Sequence, residues 1–155
     1  VVILRAEDFG LSGTEDRESL DSNSDLKTQL ESIRIQAGHL MNLGDVKTQS
    51  VPKMTLVSPS FNGGCVSTRT FIPHRCHASI GVLGAVSVAT AALTKGTVAY
   101  PLARQPTTNP AHVPIEHPSG EITVVASVCD GAVESTAILR TARKLMEGQV
   151  FPSTQ

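Results

Sequence analysis

Apolar residues recur with two different periods along the chain. Residues 1–6 form a short, continuous, β-branched run, the pattern of a buried strand. Residues 8–25 are polar and hold Gly10, Gly13 and several Ser and Asp, which predicts a loop. Leu26, Leu30, Ile33, Ala37, Leu40 and Met41 then fall at steps of three and four. That single stripe predicts an amphipathic surface helix over residues 25–42, capped by Ser24 or Asp25 and ended near Gly44. A connector leads to a short strand at 54–57, stopped by Pro59. Asn62-Gly63-Gly64 reads as a turn and 67–72 as a second strand.

The segment 77–93 breaks both periods. It is small or aliphatic at almost every position, from Ala78 and Ile80 to Ala92 and Leu93. A helix that is apolar on every face is expected to be buried on every face, so a central helix is predicted here, ended by Gly96. Strands are predicted at 97–103, 113–117, 122–129 and 133–140, the last two joined by the hairpin signal Asp130-Gly131. A turn of helix at 142–146 and a last short strand at 149–151 complete the pattern. The predicted fold class is α+β: a curved, mostly antiparallel sheet of six or more strands rolled around a buried central helix, with one amphipathic surface helix.

Composition narrows the class. The 155 residues suffice for a single domain over 1–155. Hydrophobic content of 40% and charged content of 17% fit a folded protein. Aromatics make up 3%, Trp is absent and net charge is −1, so neither stacking platforms nor a basic face for nucleic acid or anionic membrane is visible. No segment has the length and apolarity of a membrane span. The cysteines, Cys65, Cys76 and Cys129, are odd in number and lack zinc spacing; the histidines lack metal-type pairing, and no metal is expected. Reduced thiols point to a cytoplasmic location. The chain opens on Val, directly in a strand-like run, as an excised piece of a longer protein would.

Three places hold candidate chemistry. Pro118-Ser119-Gly120 forms a turn between strands whose hydroxyl and N–H groups are available to an anion, although most such triplets are plain β-turns. His74, Arg75, Cys76 and His77 precede the apolar helix, where free N–H groups and the helix dipole favour a carboxylate and lower a thiol pKa; the alternative is a solvent-facing Arg75 and a capping Cys76. Lys53 stands just before a strand, a position that is usually solvated.

Several motifs also carry a family resemblance. Residues 2–14, 33–43 with 52–59, 77–97 with Gly84-Ala85 and Gly96-Thr97, and Glu116-His117-Pro118-Ser119-Gly120 with Arg140-Thr141-Ala142-Arg143-Lys144-Leu145-Met146-Glu147-Gly148 resemble, in that order, the C-terminal half of the PrpF family. Its members are 2-methylaconitate cis–trans isomerases and their relatives, of the diaminopimelate-epimerase fold. The resemblance implies one lobe of a two-lobed enzyme, with the active site between the lobes. It implies isomerisation of small unsaturated di- or tricarboxylates, of the aconitate or methylaconitate type, by allylic proton transfer without a cofactor. The proton-moving Lys and Cys of the family belong to the N-terminal lobe, which nothing here matches. The catalytic residues are therefore unknown, with Cys76 and Lys53 as candidates only by their similar local settings. Ser119, Gly120 and His77 carry over as substrate-binding. The implied partners are a small carboxylate and the missing N-terminal lobe or a second copy of the chain, reached by a cross-lobe tail at 142–155. A mitochondrial location follows only if a targeting segment lies in the absent part. Such a lobe would be inactive alone. The alternative is a free-standing, non-catalytic ligand-binding or interaction module derived from that lobe.

Overall fold

In the computed structural model, residues 1–152 are described. Six strands make one sheet in chain order: β1 (Val2–Arg5), β2 (Met54–Pro59), β3 (Val66–Phe71), β4 (Ala111–His117), β5 (Gly120–Cys129) and β6 (Ala132–Ile138). Pairs β1–β2 and β3–β4 are parallel and the other three antiparallel. Parallel neighbours need crossovers, and the helices lie in those two connections. α1 (Arg17–Ser22) and α2 (Ser24–Leu40) join β1 to β2, and α3 (Val82–Leu93) joins β3 to β4. The predicted α+β class, with a curled and mostly antiparallel sheet, is observed.

Side-chain alternation gives the sheet two apolar faces. Val57, Val66, Val113, Ile115 and Val124 point to the concave side and pack with Ala85, Val88, Ala89 and Ala92 of α3. Met54, Leu56 and Phe71 point to the other side and pack with Leu20, Leu26 and Leu30 of α1 and α2. At the centre Thr55 faces Thr70 across β2 and β3, and their buried hydroxyls bond at 3.0 Å. This pair satisfies the polar atoms that two threonines bring into the core.

The surface helix begins one residue earlier than expected, with Asn23 as its cap accepting from Leu26 N at 3.0 Å. Its stripe holds for the first half only. Leu40 is 86% exposed, whereas Arg34 is 0% exposed and Gly38 is buried. Arg34 is tolerated there because Glu31 accepts from its Nε and Nη2, while the carbonyls of Gln49 and Val51 accept from Nη1. At Gly38 an added Cβ would stand 2.6 Å from Val46, so the missing side chain is what lets the following loop dock. The helix ends in a Schellman arrangement: Leu43 N donates to Gly38 O and Asn42 N to His39 O, with Asn42 at φ 56°. The left-handed residue that ends the helix is thus Asn42, and Gly44, at φ 73°, lies two residues beyond it.

Four expectations fail. The loop predicted at 8–25 contains α1, capped by Asp16, whose carboxylate accepts from Ser19 N. The strand predicted at 97–103 is a 3-10 turn, Tyr100–Leu102, tucked against α3. The turn of helix at 142–146 and the strand at 149–151 are absent; Leu145, Met146, Val150 and Phe151 are exposed in a stretch without regular structure, and residues 153–155 of the expected cross-lobe tail lie outside the described residues. Most important, the central helix is shorter and less buried than 77–93. It starts at Val82, and Leu83 is 78% exposed. A curled sheet covers one face of a helix; Gly84, Ala85, Val88, Ala89 and Ala92 line that face, and Val82 and Leu83 lie off it.

The hairpin signal is correct. Asp130 and Gly131 turn β5 into β6 with φ 50° and 79°, the positive pair that a two-residue turn of this hand requires. Glu116, at the end of β4, clasps the β2–β3 loop. Its carboxylate is 4% exposed and accepts from the N–H groups of Phe61, Asn62 and Gly64 at 2.7–2.9 Å. Burial alone would raise its pKa, but those three donors together hold it below the usual carboxylate value of 4.5.

Two stability outcomes follow. An Ala85→Asp substitution places a charge in the dry contact between α3 and the sheet and should abolish the cooperative melting transition seen by circular dichroism. Glu116→Gln leaves loop N–H groups facing a weaker acceptor and should cost about 1.5–3 kcal/mol at pH 7 in urea melts. Because the folded pKa of Glu116 is depressed, its contribution is full above the unfolded value and is lost as pH falls through the folded value. The gap between wild type and variant should therefore close on acidification below about pH 4.5, and a gap independent of pH would contradict the clasp.

Candidate functional site

The connection from β3 to α3 brings the predicted site residues toward one place. After β3 the chain folds back, Phe71 bridging to Cys76 and His77 N donating to Thr70 O at 2.7 Å. Residues 77–81 then run past the β4–β5 turn. There Ser119 ties the two segments: both its N–H (3.1 Å) and its hydroxyl (2.8 Å) donate to Ala78 O. The expectation that this hydroxyl and N–H are free is therefore wrong; their donors are spent on positioning the turn against the approach to α3. Gly120 closes the turn at φ 144°, a conformation that L side chains rarely adopt.

His77 is exposed beside this junction. Its Nδ1 lies 3.0 Å from Ser79 O and 3.2 Å from Ser79 N, so Ser79 holds the ring through this nitrogen. His117 lies on the other side of Ser119, its Nδ1 3.3 Å from the hydroxyl. Burial pushes the His117 imidazole below its ordinary value, so it is neutral at pH 7.

Lys53 reaches the same junction from the start of β2. A Cβ built on Gly81, the N-cap of α3, would lie 3.8 Å from its Nζ. Among the described residues Lys53 has no carboxylate within 4.0 Å. An ammonium group thus stands beside the positive end of a helix with no side-chain cap. Lys53, His77 and the Ser119-Gly120 turn are gathered around residues 77–81, with α3 opening behind them.

His74, Arg75 and Cys76 are not part of this gathering. The helix begins later than expected, so they precede it. His74 is exposed and faces α2, its Nδ1 3.6 Å from Glu31 Oε2. Cys76 is buried, its N–H donating to Asp21 Oδ1 and its carbonyl accepting from Arg17 Nε. Burial pushes its thiol up to about 11, opposite to the lowering expected at a helix start. At pH 7 it is a protonated core thiol and no nucleophile. Among the described residues no group of three or more His, Cys, Asp or Glu is placed to hold a metal, and no helix is long and apolar enough to cross a membrane.

Two residues with no sequence signal of their own stand next to this junction. Arg69 of β3 and Arg17 of α1 line a cavity of about 410 Å³ with the segment 14–18 and Pro118, the residue before Ser119. They lie 52 positions apart in the chain, since 69 − 17 = 52, and only the fold brings them together.

A (4E)-oxalomesaconate Delta-isomerase of Novosphingobium sp. strain KA1 is 56% identical over 151 residues, covering 97% of this chain and 42% of that protein. A 4-oxalomesaconate tautomerase of Pseudomonas putida is 55% identical over 150 residues, again 97% and 42%. A crystal structure of a methylitaconate-delta-isomerase superposes with a TM-score of 0.78 at 26% identity, over 94% of this chain and 42% of that one. The chain spans less than half the length of these relatives. The family model described as PrpF protein matches residues 1–153, and the chain belongs to the PrpF family.

Proposed function

We propose that the chain is the C-terminal, substrate-binding lobe of a cofactor-independent isomerase of the diaminopimelate-epimerase fold. Its substrates are small unsaturated di- or tricarboxylates, of the aconitate, methylaconitate or oxalomesaconate kind, and it is inactive alone. The names of its relatives and the share of their length that it matches support this reading. The single observation that carries it is the unpaired Lys53 ammonium beside the uncapped start of α3. Two positive features face one spot, and a carboxylate there relieves the juxtaposition.

In the reaction a proton leaves an allylic carbon. Its electron pair becomes the new double bond, and the pair of the old one takes up a proton at its far end. Charge accumulates meanwhile on the conjugated carboxylate. Donors held in place beforehand stabilise that charge without reorganising. Here those donors are Lys53, the first N–H groups of α3 and the His77 imidazole, gathered by the Ser119 tie. No group on this side moves the proton: Cys76 is buried and protonated. The proton-moving groups come from the opposing lobe, which covers the apolar Val82–Leu83 end of α3 and receives the exposed tail. A second copy of the chain would meet the same surface.

A chimera tests this, with residues 1–155 replacing the matching 42% of the Pseudomonas putida tautomerase. It should isomerise oxalomesaconate, while the 155-residue chain alone should not. In the chimera, Lys53→Ala should lower kcat/KM about tenfold, as expected for loss of about 1.4 kcal/mol of transition-state stabilisation. Cys76→Ala should leave kcat within about threefold, because a thiol protonated at pH 7 is no base. An inactive but folded chimera would favour a non-catalytic binding module, and a kcat collapse in Cys76→Ala would overturn the division of labour.

A further inference from the structure

We propose that Arg17 and Arg69 form the anchor for an additional carboxylate, so that the cavity beside Pro118 selects tricarboxylates over dicarboxylates. The proposal rests on the isomerase reading above and adds to it a site and a substrate class.

Arg69 projects from β3 and is half-buried. Its Nε donates to Glu15 O at 2.8 Å, and its Nη1 to Thr68 O at 2.9 Å and Ser67 Oγ at 3.4 Å. These bonds lock the guanidinium in place, and Nη2 has no partner among the described residues. Arg17 is exposed and is held by one bond, its Nε donating to Cys76 O at 3.1 Å, with both terminal nitrogens unengaged among the described residues. Both side chains line one cavity of about 410 Å³. Neither has a carboxylate within 4.0 Å among the described residues, whereas Arg5 pairs with Glu7 and Asp8 and Arg34 with Glu31.

The absence of a partner is not for want of acids. Glu15, Asp16 and Glu18 all line the cavity. The Glu15 carboxylate instead accepts from the N–H groups of Ser12 and Gly13 and from the Ser12 hydroxyl at 2.7–2.8 Å. Those donors, against the opposing effect of burial, hold it below the usual carboxylate pKa. Asp16 caps α1. Two of the three acids are thus committed to backbone donors, and Glu18 alone remains. Burial lowers the Arg69 pKa, against the smaller raising effects of Cys76, Glu15 and Glu116. Arg17 can meet a carboxylate in two-point contact through Nη1 and Nη2, and Arg69 adds a single fixed donor, Nη2. Cys76, whose carbonyl holds Arg17, and Pro118, which lines the cavity, directly precede His77 and Ser119 of the junction. On this proposal a substrate with one carboxylate at the junction sets another at the two arginines. The segment Gly10–Asp16, which bends around Glu15 and positions Arg17, acquires a role on this view.

Amide NMR shifts of the 155-residue chain provide the test, with tricarballylate as the tricarboxylate probe and succinate as the dicarboxylate. Both should move the Ser119 and Gly120 resonances, and tricarballylate alone should also move Glu15 and Arg17. Arg17→Gln and Arg69→Gln should each weaken tricarballylate at least tenfold and leave succinate within twofold. Arg69→Lys keeps the charge but not the fixed Nη2 donor and should lie between. Circular dichroism checks each fold, and Arg17→Gln decides should Arg69→Gln unfold. Shifts at Ser119 and Gly120 without any at Glu15 and Arg17, or unchanged tricarballylate affinity in Arg17→Gln, would overturn the arginine anchor and leave the proposed function standing. Shifts at Glu15 and Arg17 alone would keep the anchor and remove the Ser119-Gly120 assignment. No shift at either place would overturn both.

Discussion

The close fit between the small-residue face of α3 and the concave side of the sheet sets everything else in this protein. Gly84, Ala85, Val88, Ala89 and Ala92 bring helix backbone near the strands, and Val66, Val113, Ile115 and Val124 fill the remaining space. Larger residues on that face would push the helix outward by several tenths of an ångström or more, and a packed interior yields little. With the helix held there, its first turn opens at the end of the sheet where β2 begins and where β4 turns into β5. The junction of Lys53, residues 77–81 and the Ser119 turn is a consequence of that position.

Buried charge is used sparingly and always with partners. Arg34 anchors the loop after α2 through two carbonyls and Glu31, and Glu116 anchors the β2–β3 loop through three N–H groups. Each is a case in which breaking the set leaves a buried charge uncompensated, a larger loss than the net worth of the bonds. Against this background the free nitrogens of Arg17 and Arg69 and the solitary Lys53 are exceptions. Among the described residues, Arg17, Arg69 and Lys53 keep nitrogens without a protein partner close to the segments that meet at the β4–β5 turn.

The uncovered parts of the surface form a second pattern. Val82 and Leu83 are exposed at the same end of α3 as the candidate site, and the apolar residues of the stretch after β6 are exposed as well. Exposed large apolar groups gathered near a candidate site are the surface a covering partner would use. This accords with a chain that matches well under half of its relatives' length.

The sequence by itself determined the class of fold and the segments that hold its six strands and its two longer helices. Periods of two and three-to-four, the Asp130-Gly131 turn and the apolar run before Gly96 are local signals, and local sterics and capping suffice to express them. Its motif order also pointed to the family. The tertiary structure alone decided how much of α3 is covered, because apolar composition states what can be buried and not how far a six-stranded sheet can reach around a helix. It decided that Cys76 is a protonated core thiol, since the helix start lies beyond it and pKa follows burial and neighbours. It turned the Ser119 hydroxyl from a free donor into a tie on Ala78. And it placed Arg17 beside Arg69, a long-range juxtaposition with no periodicity or spacing to announce it.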